Sequence, residues 1–343
     1  MAGDEYELVT IYDIAKATGL SPTTVSKVFN QYSDVSEKTR RKILEASEQM
    51  GYIPNAQART LTTKRSWMIG VLYIESSGAG LLHPYFGGVI EGFKKVATSK
   101  GYDLMFISKH IGGKKGGYLE HCKLRGIDGV VVVLPDYTDP YFKELLDSDI
   151  PCVLLDQESD LKSTICSNNM DGSKQAVDYL YGLGHRSIAH ISGGTTYAGE
   201  QRLQGYLKAM EQLGLTVLPE HIIQGSYDYT VESGQKAMEQ LLSLEHLPTA
   251  VFVAGDNLAV GAMLAMKKHG LNVPEDMSIV GYDDIEMAKY LTPALTTIRQ
   301  NTYALGSRAA DMLICSIEGG SEARPQTDQI AVELVVRGSC REV

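Results

Sequence analysis

The sequence contains few of the features that mark membrane, secreted or metal-binding proteins. Its longest purely aliphatic run, Val130 to Leu134, is far too short to cross a bilayer. The first residues, MAGDEYELVT, are acidic and have no apolar core of the kind found in secretory signals. The five cysteines are an odd number, widely spread and without a C-x-x-C pair. We therefore expect a cytoplasmic protein in a reducing compartment, with no metal site.

Signatures of common enzyme classes are also missing. The sequence has no H-E-x-x-H zinc motif and no G-x-S-x-G nucleophile elbow. The GSK segment at 172–174 lacks the upstream glycine of a phosphate loop, and GLGHRS at 182–187 lies at a predicted helix end. We expect no enzymatic activity and no cofactor. A nucleotide-dependent enzyme is the alternative, and turnover of a ligand would identify it.

Charge is distributed unevenly along the chain. Residues 10–65 hold nine lysines and arginines against five acids, a net charge of +4, whereas the whole chain carries −10 and the remainder therefore −14. A length of 343 residues also exceeds what one hydrophobic core usually supports. A small basic head on a large acidic body indicates two domains with separate tasks, the head suited to an anionic polymer. The alternative is an ordinary solvated helical surface.

Three short helical patterns fill the head. Thr10 with Asp13 has the spacing of a capping box, and Gly19 is placed to end the first helix. Ser21 is a candidate cap for the second helix, with Pro22 at its first position. The third helix contributes four apolar residues that we expect in the core of the head: Ile43, Leu44, Ala46 and Met50. The tight turn between the first two helices predicts a helix-turn-helix.

From residue 69 onward, short apolar segments alternate with helical ones. The segments are IGVLYI, YDLMFIS, GVVVVL, PCVLLD, SIAHISG, TAVFVAG and MSIVGYD. Such runs are typical of parallel strands covered by helices on both faces. The series restarts at Ser187, so we predict two lobes. The predicted fold is an all-α helix-turn-helix head followed by an α/β body of two parallel-sheet lobes, with a ligand cleft between the lobes.

Five segments, in order, resemble signatures of the lactose-repressor (LacI/GalR) family of bacterial transcription regulators. They are TIYDIAKATGLSPTTVSKVFN, VSEKTRRKILEASEQMGYIPNAQARTL, DNLAVGAM, SIVGYDDIEMAKYLTPALTTIRQ and ELVVRGSC. The resemblance implies a homodimer whose head reads a palindromic operator DNA. It also implies that the body, similar to a periplasmic sugar-binding protein, senses a small-molecule effector and changes operator affinity allosterically.

The resemblance implies domain boundaries as well. Residues 1–53 are expected to form the DNA-binding head, 54–67 the hinge helix and linker, and 68–343 the ligand-binding and dimerisation body. The body is expected to divide into a first lobe of about 68–165 and 298–326 and a second lobe of about 166–297 and 327–343. The hinge helix, about two turns long, would be marginal alone in water.

Twelve residues are assigned to the DNA interface from this resemblance: Thr10, Tyr12, Ser21, Pro22, Thr23, Ser26, Lys27, Asn30, Asn55, Ala58, Arg59 and Leu61. Hydroxyls and a lysine on the second helix can reach base edges or phosphates in the major groove. Many family members have an arginine at the position of Lys27, so a bidentate contact is lost here. Leu61 matches the leucine that inserts into the minor groove. The alternative is a leucine buried under the head.

Seven residues are assigned to the effector site: Tyr85, Phe86, Asp156, Arg202, Tyr227, Gly255 and Asp283. Asp156, Arg202 and Asp283 match positions that bind ligand hydroxyls in sugar-responsive members, and we expect all three at strand ends or in the loops that follow. The alternatives are turn or cap roles for the two aspartates, a surface salt bridge for Arg202, and core packing for the aromatic residues. Asp256 is expected to cap a helix.

Two departures from the family pattern affect the choice of effector. Gly255 stands where most members have asparagine, which removes one contact or leaves room for a larger ligand. Gln157 stands where many have arginine. We predict a repressor of carbohydrate-utilisation genes that responds to a sugar or sugar derivative. A purine- or nucleoside-responsive corepressor type is the alternative. A transport binding protein, which would share the body's fold, is disfavoured by the fused head.

The hinge assignment predicts the effect of truncating Leu61. We expect Leu61→Ala to fold and dimerise normally but to bind operator DNA at least about tenfold more weakly, a loss of ~1.4 kcal/mol, because the apolar wedge that stabilises a bent duplex is removed. A gel-shift titration measures the affinity. Unchanged affinity would contradict the assignment.

Overall fold

The computed structural model describes residues 9–30, 32, 34–52, 65–74, 80–226, 228–320 and 324–343. These residues fall into two compact units. The first contains the head together with residues 65–68 and 125–128, and the second contains the rest of the body.

The described residues of the head form three helices. They are α1 (Ile11–Thr18), α2 (Pro22–Phe29) and α3 (Glu37–Met50). Their apolar faces meet in a small core whose fully or nearly fully buried residues are Ile14, Ala15, Val25, Val28 and Ile43. The predicted helix-turn-helix is confirmed, because α1 and α2 are joined by the three residues between them.

The predicted helix boundaries follow from local hydrogen bonds. The Asp13 carboxylate accepts from the Thr10 backbone N–H at 2.8 Å and from the Thr10 hydroxyl at 2.6 Å. Gly19 ends α1 in the left-handed conformation at φ +68°, which glycine adopts without steric cost. The Ser21 hydroxyl oxygen accepts from the Thr24 N–H at 3.1 Å and caps α2. These short polar contacts fix where each helix begins and ends.

One core prediction for the head is wrong. Leu44 is 47% exposed, whereas Ile43 is completely buried. The inward positions of α3 recur at 43 and 47, one helical turn apart, so Leu44 falls on the outer side. Ser47 takes the inward place, and its hydroxyl is satisfied by donating to the Ile43 carbonyl at 2.7 Å.

The first lobe of the body is built on a six-stranded sheet. Its strands, in the spatial order β13-β7-β6-β5-β1-β2, are β1 (Met68–Tyr73), β2 (Asp103–Phe106), β5 (Gly129–Leu134), β6 (Cys152–Leu155), β7 (Ser163–Ser167) and β13 (Thr327–Ile330). A small hairpin is formed by β3 (His110–Ile111) and β4 (Lys114–Lys115). Four helices accompany these strands: α4 (Pro84–Ser99), α5 (Tyr118–Arg125), α6 (Pro140–Leu146) and α11 (Thr302–Gly319). The longest two, α4 and α11, pack against each other.

The second lobe repeats this plan. Its strands, in the spatial order β14-β12-β11-β10-β8-β9, are β8 (Ile188–Ser192), β9 (Ile222–Gln224), β10 (Ala250–Val253), β11 (Ser278–Asp283), β12 (Thr296–Gln300) and β14 (Val332–Val335). Only β14 runs antiparallel to its neighbour in this sheet. The helices, packed in the pairs α7 with α8 and α9 with α10, are α7 (Asn169–Gly182), α8 (Tyr197–Gln212), α9 (Val231–Leu242) and α10 (Asp256–Lys268). The predicted two-lobe parallel-sheet body is confirmed.

Sheet membership moves the lobe boundaries by a few residues from those expected. The chain passes between the sheets after β7, after β12 and between β13 and β14. All of β12 therefore belongs to the second sheet, although a boundary was expected at residue 298. The strand β13 pairs in parallel with β7 in the first sheet, although residues from 327 onward were expected in the second lobe. Both strands are short and polar, so their hydrogen bonds to neighbouring strands decide which sheet they join: β12 pairs with β11 and β14, and β13 pairs with β7.

None of the described helices combines the length and apolarity that a bilayer crossing requires.

Candidate functional site

The second helix of the head presents the residues assigned to DNA contact with different degrees of exposure. Ser21 and Thr23 are exposed, whereas Pro22, Ser26 and Lys27 are half-buried. Tyr12 on α1 is 70% exposed. Two of the assigned residues contact each other, since the Asn30 side-chain amide donates to the Ser26 hydroxyl at 3.2 Å. Thr23 and Tyr12 therefore offer the freest side chains of the set.

Lys27 already has an anionic partner in the free head. Its ammonium group donates to the carboxylate of Asp34, in the segment that connects α2 to α3. This hydrogen bond lowers the pKa of Asp34. No local sequence pattern predicts this pairing, because the two residues lie seven positions apart across a turn.

Two of the basic residues that make the head positive have structural tasks. Arg40 donates to the Val28 carbonyl in the last turn of α2, at 3.4 Å, and to the Tyr32 carbonyl just beyond α2, at 2.8 Å. Lys42 donates to the Thr18 carbonyl at the end of α1, at 2.7 Å. Cations near helix C-termini are favourable because they meet unpaired carbonyls and the negative end of the helix dipole. The head's excess positive charge is thus only partly free for DNA.

Five of the assigned residues cannot be placed. Asn55, Ala58, Arg59, Leu61 and Tyr227 lie outside the described residues, so the hinge helix and one aromatic of the effector site remain predictions.

The described residues that were assigned to the effector site come from both lobes of the body. Asp156 follows β6 of the first sheet, and Asp283 is the last residue of β11 in the second. As expected, both lie at carboxyl ends of strands. Arg202 does not, because it lies in the second turn of α8. Its side chain nevertheless reaches the site and is buried, with only 4% of the residue exposed, so the surface-salt-bridge alternative is wrong.

Tyr85 and Asp156 form a polar pair on the first lobe. The Tyr85 hydroxyl donates to Asp156 Oδ2 at 2.5 Å. Burial raises the pKa of Asp156, while the Tyr85 hydrogen bond and the charge of Arg202 oppose that rise. The other carboxylate oxygen, Oδ1, is buried and has no hydrogen-bond partner among the described residues. Tyr85 itself is 92% buried, and its hydroxyl orients Asp156, so it is poorly placed to offer a ring face for stacking.

Arg202 is held by three different kinds of contact. Its Nε donates to the Asn169 side-chain oxygen at 2.9 Å, and Nη1 donates to the Ala254 carbonyl at 2.5 Å. The guanidinium lies 3.7 Å from the centroid of the Tyr282 ring, a cation–π geometry. Nη1 also lies 3.7 Å from Asp283 Oδ1. This set fixes the guanidinium rigidly and leaves the Asn169 Nδ2 buried without a partner in the described chain.

Asp283 and Asp256 form a pair of interacting buried carboxyls. Burial raises the pKa of Asp283 to about 6, although Arg202 and the Gln300 amide, which donates to Oδ1 at 2.6 Å, favour the charged form. Burial and then the charge of Asp283 raise the pKa of Asp256. Asp256 accepts from the Thr297 hydroxyl at 2.6 Å and from the Ile285 N–H at 2.9 Å. Asp256 is thus not the helix cap we expected: it lies in the first turn of α10 and ties the ends of β11 and β12 together.

The space beside Gly255 is not open. An ideal Cβ built on Gly255 would lie 2.7 Å from the ring of Tyr229. We expected the missing side chain at this position to remove a ligand contact or to leave room for a larger ligand. The structure places an aromatic ring there, from a residue that the sequence reasoning did not select.

Phe86 belongs to an aromatic group on the first lobe. Its ring centroid lies 5.5 Å from Tyr73, 4.7 Å from His83 and 5.1 Å from Tyr85. The ring is only half-buried, so it packs against its neighbours and still presents part of its surface.

Backbone strain is concentrated at this site. Asp156, Tyr229 and Asp283 have φ values of +50°, +49° and +115°, and non-glycine residues seldom adopt positive φ. For a tyrosine this conformation is especially unfavourable, so surrounding contacts must hold it. Strained residues of this kind cluster at functional sites.

Sequence reasoning missed three residues of the site: Asn169, Tyr229 and Gln300. Asn169 and Gln300 orient Arg202 and Asp283, and the Gln300 Oε1 is buried without a partner in the part of the chain that the structure describes. A cavity of about 490 Å³ lies next to Gln300, lined by residues 299–303 and 331–333 at two crossovers. The one sequence signal that could have pointed to Asn169 and Gln300 is their position beside a crossover between the lobes: Asn169 follows the first crossover and Gln300 precedes the second.

Comparisons with known proteins agree with this arrangement. Residues 10–55 match the family profile described as bacterial regulatory proteins, lacI family, and residues 177–340 match a periplasmic binding protein-like domain. The HTH-type transcriptional repressor PurR of Proteus mirabilis (strain HI4320) is 41% identical over 339 residues, which cover 97% of each chain. The chain belongs to the LacI family. Like these relatives, it is a DNA-binding transcriptional repressor.

A further relative and two solved structures extend the comparison. The PurR repressor of Yersinia pestis (strain Pestoides F) is 39% identical over 338 residues, 97% of each chain. A lac repressor dimer bound to operator and the anti-inducer ONPF matches with a TM-score of 0.78 and 31% identity, covering 98% of this chain and 100% of that one. The transcriptional regulator CelR in complex with cellobiose matches with a TM-score of 0.70 and 28% identity, covering 96% and 99%.

The raised pKa of Asp283 predicts a pH dependence of stability. The folded protein binds this proton more tightly than the unfolded chain, so the free energy of unfolding should fall as pH rises from about 4 to about 6 and then level off. Asp283→Asn should reduce that fall by about 1–3 kcal/mol, since one pKa unit corresponds to about 1.4 kcal/mol. Urea unfolding followed by circular dichroism at several pH values measures it.

Asp103→Asn, at an exposed carboxyl on β2, is the control for loss of one negative charge. Parallel stability curves for wild type and Asp283→Asn would show that this carboxyl is not the titrating group.

Proposed function

We propose that this LacI-family repressor binds operator DNA as a homodimer and that a small polar effector, bound between the two lobes of the body, changes its operator affinity. The observation that carries the proposal is the group formed by Asp156, Arg202 and Asp283. It unites both lobes. Together with Asn169 and Gln300, which hydrogen-bond to Arg202 and Asp283, it contains three buried polar atoms without partners among the described residues: Asp156 Oδ1, Asn169 Nδ2 and Gln300 Oε1. Buried polar groups normally find partners, and a ligand rich in hydrogen-bonding groups would supply them.

The geometry favours a sugar or sugar derivative. Carboxylates such as Asp156 accept hydrogen bonds from hydroxyls, and Arg202 offers a rigid, charged donor fork. The side-chain amides of Asn169 and Gln300 add one donor and one acceptor. A polyol lacking one hydroxyl would leave a buried group unpaired, so this arrangement discriminates strongly between related sugars.

A purine or nucleoside effector is the second candidate. The relatives that share 39–41% identity over 97% of the chain are named PurR, and this favours the purine alternative. The half-buried ring of Phe86 would suit a flat base as well as the apolar face of a sugar. For either class we assign Tyr85 to orienting Asp156, and Phe86 and Tyr227 to lining the site.

The proposed coupling is a linkage between two binding equilibria. An effector that draws the lobes together would shift the hinge segments of a dimer, residues 54–67 of each chain, and so change the affinity of the paired heads for DNA. By thermodynamic reciprocity, operator DNA must change effector affinity by the same factor. The function is binding rather than catalysis, so recovery of the effector unchanged after incubation is part of the proposal.

Thermal melting against a panel of small molecules tests the effector site. The panel contains monosaccharides, disaccharides, sugar phosphates, purine bases and nucleosides. A compound present at about one hundred times its Kd should stabilise the protein by about 2.7 kcal/mol. We expect Arg202→Ala to lose this stabilisation and Arg202→Lys, which keeps the charge but loses the fork, to retain little of it.

Lys208→Ala, which removes an exposed basic residue from the same helix, is the control and should respond like wild type. An equal response in Arg202→Ala would place the binding site elsewhere. A hit among purines but not sugars would select the second candidate.

Selection from random duplexes tests the head. We expect the purified protein to enrich a palindrome, and Thr23→Ala to bind it about five- to 150-fold more weakly, because a base contact contributes about 1–3 kcal/mol. Gel-shift titrations give the affinities. Gln49→Ala, at an exposed position on α3, is the control. If both variants bind equally well, α2 is not the reading helix.

A further inference from the structure

We propose that Asp128 is a positioning residue for operator binding: its carboxylate holds the two backbone N–H groups at which the chain, coming from the head, enters the first strand of the body. This inference rests on the proposed function, because it takes from it that the two heads of a homodimer bind one palindromic operator. It goes further by assigning the placement of the head-to-body connection to a single carboxylate outside both the reading helix and the effector site.

The carboxylate of Asp128 accepts hydrogen bonds from two successive backbone N–H groups. Oδ1 accepts from the Ser66 N–H at 3.0 Å, and Oδ2 accepts from the Trp67 N–H at 2.8 Å. Successive N–H groups that converge on one anion form a backbone nest, and a charged acceptor makes such hydrogen bonds stronger than neutral ones. Together Ser66, Trp67 and Asp128 form a linker clamp.

Two further hydrogen bonds join the same two segments of the chain. The Ser66 hydroxyl oxygen accepts from the Met68 N–H at 3.1 Å, and the Met68 carbonyl accepts from the Asp128 N–H at 2.9 Å. Met68 begins β1, and Asp128 directly precedes β5, the neighbour of β1 in the first-lobe sheet. Residues 65–68 and 125–128 belong to the same compact unit as the head. The linker clamp therefore lies where the chain passes from the head to the body.

The backbone at the clamp is strained. Trp67 has φ +62°, in the left-handed region that bulky residues seldom adopt. Such a conformation persists only where surrounding contacts hold it. Asp128 binds the N–H of this residue and the N–H of the one before it, so its carboxylate is placed to hold the strained turn. The clamp thus fixes the direction of the chain at Trp67.

A fixed connection matters for operator binding because the two heads of a homodimer must meet both half-sites at once. Rigid placement lowers the conformational entropy that is lost when the complex forms. The connection also sets the effective concentration of the second head at its half-site. Contact between one head and the phosphates of arbitrary DNA does not depend on this placement. Loss of the clamp should therefore weaken specific binding more than non-specific binding.

Gel-shift titrations of the full-length protein with two duplexes test this assignment. One duplex is the palindrome enriched by selection, and the other is a scrambled duplex of the same length. We expect Asp128→Asn, which turns one acceptor oxygen into a donor, and Asp128→Ala to bind the palindrome at least about fivefold more weakly and the scrambled duplex less than about twofold more weakly. Asp128→Glu, which keeps both acceptor oxygens, should bind the palindrome at least about threefold more tightly than Asp128→Ala does.

Asp149→Asn is the matched control. Asp149 is an exposed aspartate shortly before β6, so this variant removes one negative charge beside a neighbouring strand and should bind both duplexes like wild type. The scrambled duplex controls for folding, because a variant that folded less completely would lose affinity for both duplexes by the same factor.

The fluorescence of Trp67 provides a second readout, because this residue is half-buried and is the only tryptophan in the chain. Its emission therefore reports on the linker clamp alone. We expect the acrylamide quenching constant to rise about 1.5-fold or more in Asp128→Ala, since the released segment opens locally to solvent, and to stay unchanged in Asp149→Asn.

The outcomes separate the two proposals. If Asp128→Asn and Asp128→Ala keep the wild-type ratio of affinities for the two duplexes, with or without a change in quenching, the assignment of Asp128 is overturned and operator binding stands. An equal loss of affinity for both duplexes would overturn it as well, since that loss indicates incomplete folding. If wild type itself enriches no palindrome, binding of a palindromic operator is rejected, and the role of the clamp is rejected with it.

Discussion

Arg202 brings a full positive charge to a position with only 4% exposure, where burial without compensation would cost several kcal/mol. The surrounding groups offset the free-energy cost of burying this charge. Asn169 and the Ala254 carbonyl accept its hydrogen bonds, the Tyr282 ring lies under its face, and Asp283 supplies the counter-charge. These groups come from three places in the second lobe: Asn169 from α7, Ala254 from the residue after β10, and both Tyr282 and Asp283 from β11. Under the proposed function, the fixed guanidinium would set where a ligand's polar groups must lie.

The two adjacent aspartates at the end of β11 show how local geometry separates roles. Asp283 and Asp284 both have positive φ, at +115° and +58°. Asp283 turns to Arg202 and Gln300, whereas Asp284 accepts from Arg299 at 2.6 Å and from Arg337 at 2.5 Å. Arg299 and Gln300 end β12, immediately before the chain crosses to the first lobe. One turn thus links Asp283, the carboxylate assigned to the effector, to the segment in which the chain crosses between the lobes.

Much of the fold could be predicted because its signals are local. Runs such as GVVVVL and caps such as Ser21 depend on a few neighbouring residues. The strands β12 and β13 have the polar sequences TTIRQ and TDQI, which carry no such signal. These segments form strands because neighbouring strands complete their hydrogen bonding, and that pairing exists only in the folded chain. The residues of the candidate site divide in the same way between those with a signal in the sequence and those placed only by the fold. The resemblance supplied Asp156, Arg202 and Asp283, but pairs such as Asn169 with Arg202, 33 residues apart, exist only once the chain is folded.

The ion pair between Lys27 and Asp34 has a consequence for the way the head discriminates among DNA sequences. A lysine that is free in solution gains from any phosphate it meets, and this gain is the same for every sequence. Under the proposed contact with DNA, Lys27 first leaves the Asp34 carboxylate, so a phosphate replaces one anion by another. The two side chains are 41% and 55% exposed, so this surface ion pair contributes at most about 1 kcal/mol and lowers the gain from a phosphate by that amount for every sequence. Under the proposed contact, base contacts would therefore make up a larger share of the total affinity.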